Sequence, residues 1–242
     1  MLLLLLEGLA HAEEEMASGF TLAEIWAHSG FIARAVIITL LMMFLATLVV
    51  MVERLIAFRR ARGQSIRLRN EIIGPLQQGD AAGALRIAQD EQFKAGYLTS
   101  LLRAGLAELE GGVDQFSLAN AKRAVEKAHG EELAKLQRGM TILATTGSTA
   151  PFVGLFGTTF GVINAFQGMA EAGSGLASIS AGISEALITT GVGIGVAVVG
   201  VWLFNYFNYR IAKVSDELNS SEAEIVQWAA KLNQTSLRGA AK

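Results

Sequence analysis

The sequence predicts an all-α membrane protein with three transmembrane helices and long helical extensions on the cytoplasmic side. Three observations carry that prediction. Residues 35–52 run 18 positions without a charge. Residues 140–207 contain no Lys, Arg, His or Asp, and only two acids, Glu171 and Glu185. Runs of ~20 apolar residues span the bilayer hydrocarbon, so the second stretch is long enough to cross twice. Basic residues, finally, gather on one side of each apolar stretch, the pattern expected of cytoplasmic flanks.

Composition agrees with this class. Of 242 residues 52% are hydrophobic and only two are proline, which suits a helical membrane protein better than a soluble enzyme. The net charge of -2 says nothing about partners, and no nucleic-acid partner is expected. Without cysteine there are no disulfides and no thiolate ligands or nucleophiles. The three histidines, His11, His28 and His129, lie outside the apolar spans, so a histidine proton relay within the membrane is not expected. Neither a metal nor a cofactor is called for.

Taken in order, residues 1–30 read as a periplasmic tail. Its first twelve residues close on Ala10-His11-Ala12, the small-x-small form of a leader-peptidase site, but lack a basic n-region, and Glu7 interrupts the apolar core. They make a weak signal segment, followed near Thr21 to His28 by a piece that can lie along the membrane surface with Trp26 at the interface. Residues 31–53 form the first transmembrane helix. Arg54, Arg59, Arg60, Arg62, Arg67 and Arg69 follow it, against five glutamates and Arg34 alone before it, so the N-terminus is placed outside and Arg54 onward in the cytoplasm.

Residues 54–139 are read as a cytoplasmic helical domain. With Glu53 they hold 14 of the chain's 20 basic residues and 11 acids. Asp80 is placed to cap the helix AAGALRIAQ, and Leu98, Leu101, Leu102, Gly105, Leu106 and Leu109 make an apolar stripe at i, i+3, i+4 spacing. Gly111-Gly112 breaks that helix. The pattern restarts at Asp114 and meets no breaker before the membrane, predicting one helix of about 50 residues at 1.5 Å each. His129 on it reads as a surface residue, no second ligand lying at helical spacing.

The second and third transmembrane helices occupy residues 140–170 and 176–208. Arg210 and Lys213 then return the chain to the cytoplasm, and residues 209–242 make a cytoplasmic helix and tail. Small-xxx-small pairs, Ala150/Gly154 and Gly157/Gly161 in the second span and Gly191/Gly195 in the third, predict close helix packing in lipid. Pro151 frees a carbonyl that Thr146, Ser148 or Thr149 can meet. The glycine-rich strings GLFGTTFG and GVGIGVAVVG lack the Lys-Ser/Thr of a phosphate loop.

Polar residues inside the spans point to function. Ser178, Glu185 and Thr189 fall within about 40° on one face of the third span at 100° per residue, with Thr190 further round. Thr158 shares a face of the second with Gly154, Gly161 and Ala165. Hydroxyls among small residues can hydrate a proton path without fixed charge, although each Thr can equally bond back to a carbonyl one turn earlier. An ionisable residue such as Glu185 in a span costs roughly 2.5–3.5 kcal/mol on insertion scales and calls for a function or a partner. A lone acid cannot carry a proton across, so conduction needs further acids from symmetry copies or another subunit.

These residues carry a resemblance. APFVGLFGTTFG at 150–161 with Asn164 and Phe166, then GISEALITT at 182–190 and Asn205, resembles the signature of the MotA/TolQ/ExbB proton-channel family, the three-span ExbB/TolQ branch in particular. The resemblance implies a homopentamer in the bacterial inner membrane around an ExbD/TolR-like single-span partner whose aspartate carries the proton, with a TonB-like protein as a further partner. Its pore positions fall on Thr158, Glu185 and Thr190. The implied function is a stator subunit coupling the proton-motive force to work on the cell envelope, TonB-dependent transport first, with Tol-type envelope function or a gliding motor as alternatives; a non-conducting scaffold is the competing class. An enzyme is not expected, since no nucleophile–base pair is present. Two departures stand out: Ala181 and the proline-free GVAVVGV replace prolines common in relatives. The resemblance selects Thr190 for the pore, whereas the face argument selects Thr189.

Overall fold

The computed structural model describes residues 30–78, 80–109, 114–172 and 176–240, and every regular element in them is helical. The leader-like segment, the surface piece around Trp26 and the Gly111-Gly112 break lie outside the described residues. Among the described residues six α-helices follow one another: α1 (Phe31–Gln77), α2 (Ala81–Gln89), α3 (Tyr97–Ala107), α4 (Gln115–Gln137), α5 (Met140–Ala172) and α6 (Leu176–Ala240), with a 3-10 turn at Glu91–Phe93 between α2 and α3. Among the described residues three stretches are long and apolar enough to cross a membrane: Phe31–Gln77, Met140–Met169 and Gly182–Trp228.

The chain divides into two compact units. One unites the residues up to Thr47 with Leu143–Trp202 and holds the apolar parts of α1, α5 and α6. Its core is Val36 and Leu40 from α1, Ala150 from α5, and Val196 and Ala197 from α6, with Met43, Phe44 and Val153 packed against it. Large apolar side chains also point outward, among them Met42, Phe152, Leu187 and Trp202. Water does not tolerate such an array, and lipid or neighbouring helices do. The hydroxyls of Thr39 and Thr47 bond back to Ala35 O (2.8 Å) and Met43 O (3.0 Å), removing their donors from the apolar surroundings. Around Pro151, Ser148 and Thr149 both donate to Thr145 O, at 3.1 and 2.7 Å, so neither takes the carbonyl that the proline leaves open.

The second unit contains Leu48–Ile142 and the chain from Leu203 onward. Asp80 caps α2 by accepting from Gly83 N at 2.8 Å. At the far end of that helix Arg103 donates to Ala88 O at 2.6 Å, satisfying one of the terminal carbonyls. Asp114 starts α4 with a reciprocal box: its carboxylate accepts from Ser117 N at 2.6 Å and Ser117 Oγ accepts from Asp114 N at 2.8 Å. The Ser117 donors hold the Asp114 carboxyl below the usual range. The apolar stripe of α3 is buried, and Gly105 lets α3 approach Val125 of α4 and Ile225 of α6, a Cβ there falling 2.7 Å and 3.0 Å from their methyls.

Polar ties hold α6 in this unit. Arg69 reaches Glu224 at 3.1 Å, His129 Nδ1 meets Glu222 at 3.1 Å, and the Tyr97 hydroxyl donates to Glu217. His129 is thus a packed side chain paired with a carboxylate. Burial, and next the bond to Glu217, push the Tyr97 phenol well above its ordinary range.

The expected continuous helix from Asp114 into the membrane is interrupted. α4 ends at Gln137, and Gly139, at φ 78°, turns the chain before α5 starts at Met140. A left-handed residue stops the helical hydrogen-bond ladder, and glycine accepts that conformation without steric penalty. α6, by contrast, runs 65 residues with no proline in it.

Two outcomes follow from these contacts. Gly139→Ala should lower stability by about 1–2 kcal/mol, because alanine resists the left-handed conformation and its Cβ would lie 3.1 Å from Val50 Cγ1; an unfolding titration in detergent measures it. For Tyr97 the folded state holds the proton more tightly than the unfolded state, whose phenol titrates near 10. The stability difference between wild type and Tyr97→Phe should therefore be constant below pH of about 10 and shrink as pH rises above it. A difference that does not move with pH removes the assignment.

Candidate functional site in the paired spans

α5 and α6 run antiparallel, and their seam is made of residues with almost no side chain. Gly147 faces Gly200, Gly154 faces Gly193, Gly161 faces Ala186 and Ala165 faces Gly182. Each step along α5 is matched by an equal step back along α6. The approach is close enough that a Cβ built on Gly154 would lie 2.8 Å from Thr189 O, and one on Gly193 would lie 2.7 Å from Ala150 O. Contacts of that length fall on backbone, which cannot swing aside. Gly157 admits the Thr189 side chain, its built Cβ lying 2.7 Å from Thr189 Oγ1, and also touches Val36 of α1 at 3.0 Å. Gly191 and Gly195 have nothing within 4 Å of such a Cβ, so they make no contact across this seam.

The hydroxyls sit where the seam is tightest. Thr158 donates towards Ala186 O at 3.0 Å and Gly154 O at 3.3 Å, and its hydroxyl pairs with that of Thr190 across the two helices. Both residues are half-buried. Thr189 is 0% exposed and spends its hydroxyl on Ala186 O at 2.7 Å, with Gly154 O at 3.3 Å. Thr189 thus belongs to the packing between α5 and α6, while Thr158 and Thr190 form a hydroxyl pair at its margin. Thr159, beside Thr158, bonds back to Leu155 O at 3.0 Å and is exposed.

Glu185 lies five residues before Thr190 on α6, half-buried. Its Oε1 accepts from Gly30 N at 2.8 Å, and Gly30 O in turn accepts from Arg34 N at 3.1 Å at the start of α1. The one described carboxylate of the third span therefore meets the first turn of the first span. Helix starts present unpaired N–H groups and the positive end of the peptide dipoles, which is where a carboxylate is best accommodated in an apolar setting. No sequence spacing signals a bond between residues 155 apart. Gly147 and Gly200 escape a search for small-xxx-small pairs, having no small residue four positions away, whereas Gly182 with Ala186 and Gly193 with Ala197 carry that signal. Among the described residues no group of three or more His, Asp and Glu is arranged to hold a metal ion.

Three helices long and apolar enough to cross a membrane, the second and third of them joined by a hydroxyl pair and the third carrying one half-buried carboxylate, Glu185, define a helical multi-pass membrane protein. Residues 94–220 match the model of the MotA/TolQ/ExbB proton channel family, and the chain belongs to that family. Among relatives, the Tol-Pal system protein TolQ of Pseudomonas aeruginosa is 39% identical over 46% of this chain and 51% of its own length. The biopolymer transport protein ExbB of Pseudomonas putida is 32% identical over 68% of this chain and 50% of its own. ExbB of Salmonella typhimurium is 28% identical over 83% of each. The chain spans about half the length of the two Pseudomonas relatives.

The seam separates the glycines into two groups with opposite expected behaviour. Gly154→Ala should destabilise by about 1–3 kcal/mol through overpacking against backbone, whereas Gly191→Ala, with open space around it, should be neutral to stabilising by up to about 1 kcal/mol. Unfolding of the two variants in the same detergent distinguishes them, and equal effects would contradict the seam.

Proposed function

We propose that the chain is a subunit of an inner-membrane proton channel and stator, which couples the proton-motive force to mechanical work on the cell envelope, TonB-dependent transport above all. The observation that carries this reading is the Thr158–Thr190 hydroxyl pair, with Glu185 in the same helix as Thr190 and no Lys, Arg, His or Asp in the second and third spans. Hydroxyls accept and donate in turn without carrying charge, so they can support a file of water through an apolar wall. Glu185 supplies the exchangeable proton site. Thr190 rather than Thr189 takes the pore position, because Thr189 is closed into the seam. Gly154, Gly157 and Gly161 act as the packing residues that hold the two walls together.

One carboxylate does not make a path across the bilayer. The reading therefore includes a homopentamer of this chain around an ExbD/TolR-like single-span partner that brings the second acid. The periplasmic tail at 1–30, the cytoplasmic domain at 54–139, and the outside N-terminus and cytoplasmic C-terminus follow from the charge pattern. The likeness to TolQ, the higher identity of the two Pseudomonas matches, favours a second process, Tol-type work on the envelope, for the same channel.

At matched membrane abundance and with its partner present, Glu185→Ala should abolish proton-driven function. Thr158→Val should cut it about tenfold, a loss of ~1.4 kcal/mol in the limiting step, and Thr158→Ser should retain it. Complementation of strains lacking either the TonB-linked or the Tol-linked motor reads both the activity and the process. Full activity in Glu185→Ala and Thr158→Val would overturn the channel and leave the scaffold.

A further inference from the structure

The second unit holds a cavity of about 310 Å³, open to the surface on one side, between α1 beyond Arg54, the turn around Lys94 and the last turns of α4. Its walls carry five cations, Arg54, Arg60, Lys94, Lys135 and Arg138, against one carboxylate, Glu132. That carboxylate is already engaged, accepting from Ser100 Oγ and from Lys135 Nζ, each at 2.6 Å. Lys94 has an exposed partner, Glu91, at 3.4 Å. Arg60 and Arg138 have no ion pair among the described residues.

Arg54 gives the cavity its second mark. It is 6% exposed and places its terminal nitrogens on Glu53 Oε1 at 2.5 Å and Lys135 O at 2.9 Å, while its Nε, shut off from solvent, has no hydrogen-bond partner. Buried donors of a charged group are rarely left open, and a turn of this side chain into the cavity would bring the free N–H to a phosphate or carboxylate oxygen. The volume is at the low end for small-molecule sites and suits a phosphate with a short substituent.

We propose that this cavity binds a phosphate-bearing anion, supplied by the headgroup of an anionic phospholipid. The position of the cations in the chain argues for that source. Arg54 follows Val52, the last residue of the first uncharged stretch, by two positions, and Arg138 precedes Met140, the first residue of α5, by two. Both therefore stand at the level of the membrane where phosphates lie, and basic pockets at the cytoplasmic ends of spans are established headgroup receptors. The proposal rests on the three-span reading and not on proton conduction.

Native mass spectrometry of the purified full chain, titrated with phosphatidylglycerol or phosphatidylcholine, tests it. Arg60→Gln with Arg138→Gln should weaken phosphatidylglycerol binding about 10- to 30-fold, at roughly one lipid-facing charge lost per substitution. Arg59→Gln with Arg67→Gln, which removes two charges outside the cavity, should change it less than about twofold, and Arg60→Lys with Arg138→Lys should restore most of it. Equal binding of phosphatidylcholine, equal loss in the control pair, or no loss in the cavity pair would each overturn the proposal. Displacement of the lipid by millimolar inorganic phosphate would keep the anion site and transfer it to a soluble source. Dissociation of an oligomer in the cavity pair with lipid binding unchanged would overturn it in favour of a neighbouring copy's acids.

Discussion

The close approach of two helix backbones, α5 against α6, is the constraint on which the rest of the membrane unit depends. Apolar side chains cannot drive helices together in lipid, because the solvent is as apolar as they are; contact area, and hydrogen bonds shielded from competition, must do it. Here glycine and alanine at matched steps bring main chain against main chain, and the carbonyls of Gly154 and Ala186 come within reach of hydroxyls from the opposite helix. The same geometry that packs the helices thus creates the polar site. Thr158 and Thr190 can meet only because no side chain stands between their helices.

Much of this was legible in the sequence, and what was not has identifiable physical causes. The three apolar stretches and the caps at Asp80 and Asp114 are local signals: a run of composition, or a side chain bonding three residues on, needs no knowledge of the fold. The break at Gly139 escaped because an isolated glycine costs a helix only about 1 kcal/mol; its role is set by Val50, packed against it from a distant part of the chain. Gly154, Gly157 and Gly161 show on their own helix as small-residue pairs, but which residue of α6 each one faces is visible only when both helices are read together in opposite directions. Gly191 and Gly195 have the right spacing on their own helix but face away from α5. Thr189 and Thr190 differ by one residue, 100° of rotation, and only the partner helix decides which is enclosed.

The second unit is held differently. Its helices bury leucines in the ordinary way, and its ties to α6 are polar: Arg69 with Glu224, His129 with Glu222, Tyr97 with Glu217. These bonds respond to salt, whereas the described contacts of the seam between α5 and α6 involve no charged group. The two halves of α6 are thus secured by interactions with opposite sensitivities to their surroundings.

The glycine seam also has a consequence for how the protein can change over generations. A buried leucine can be replaced by something larger or smaller, and its neighbours can adjust by degrees. Every substitution at glycine is an enlargement, and at Gly154 or Gly193 the first added carbon already meets the opposite main chain. Drift at these positions is open in one direction only, and that direction is blocked. Variation in this part of the molecule is therefore channelled to the outward residues, where new lipid environments or new neighbours can be accommodated while the facing walls of the site keep their distance.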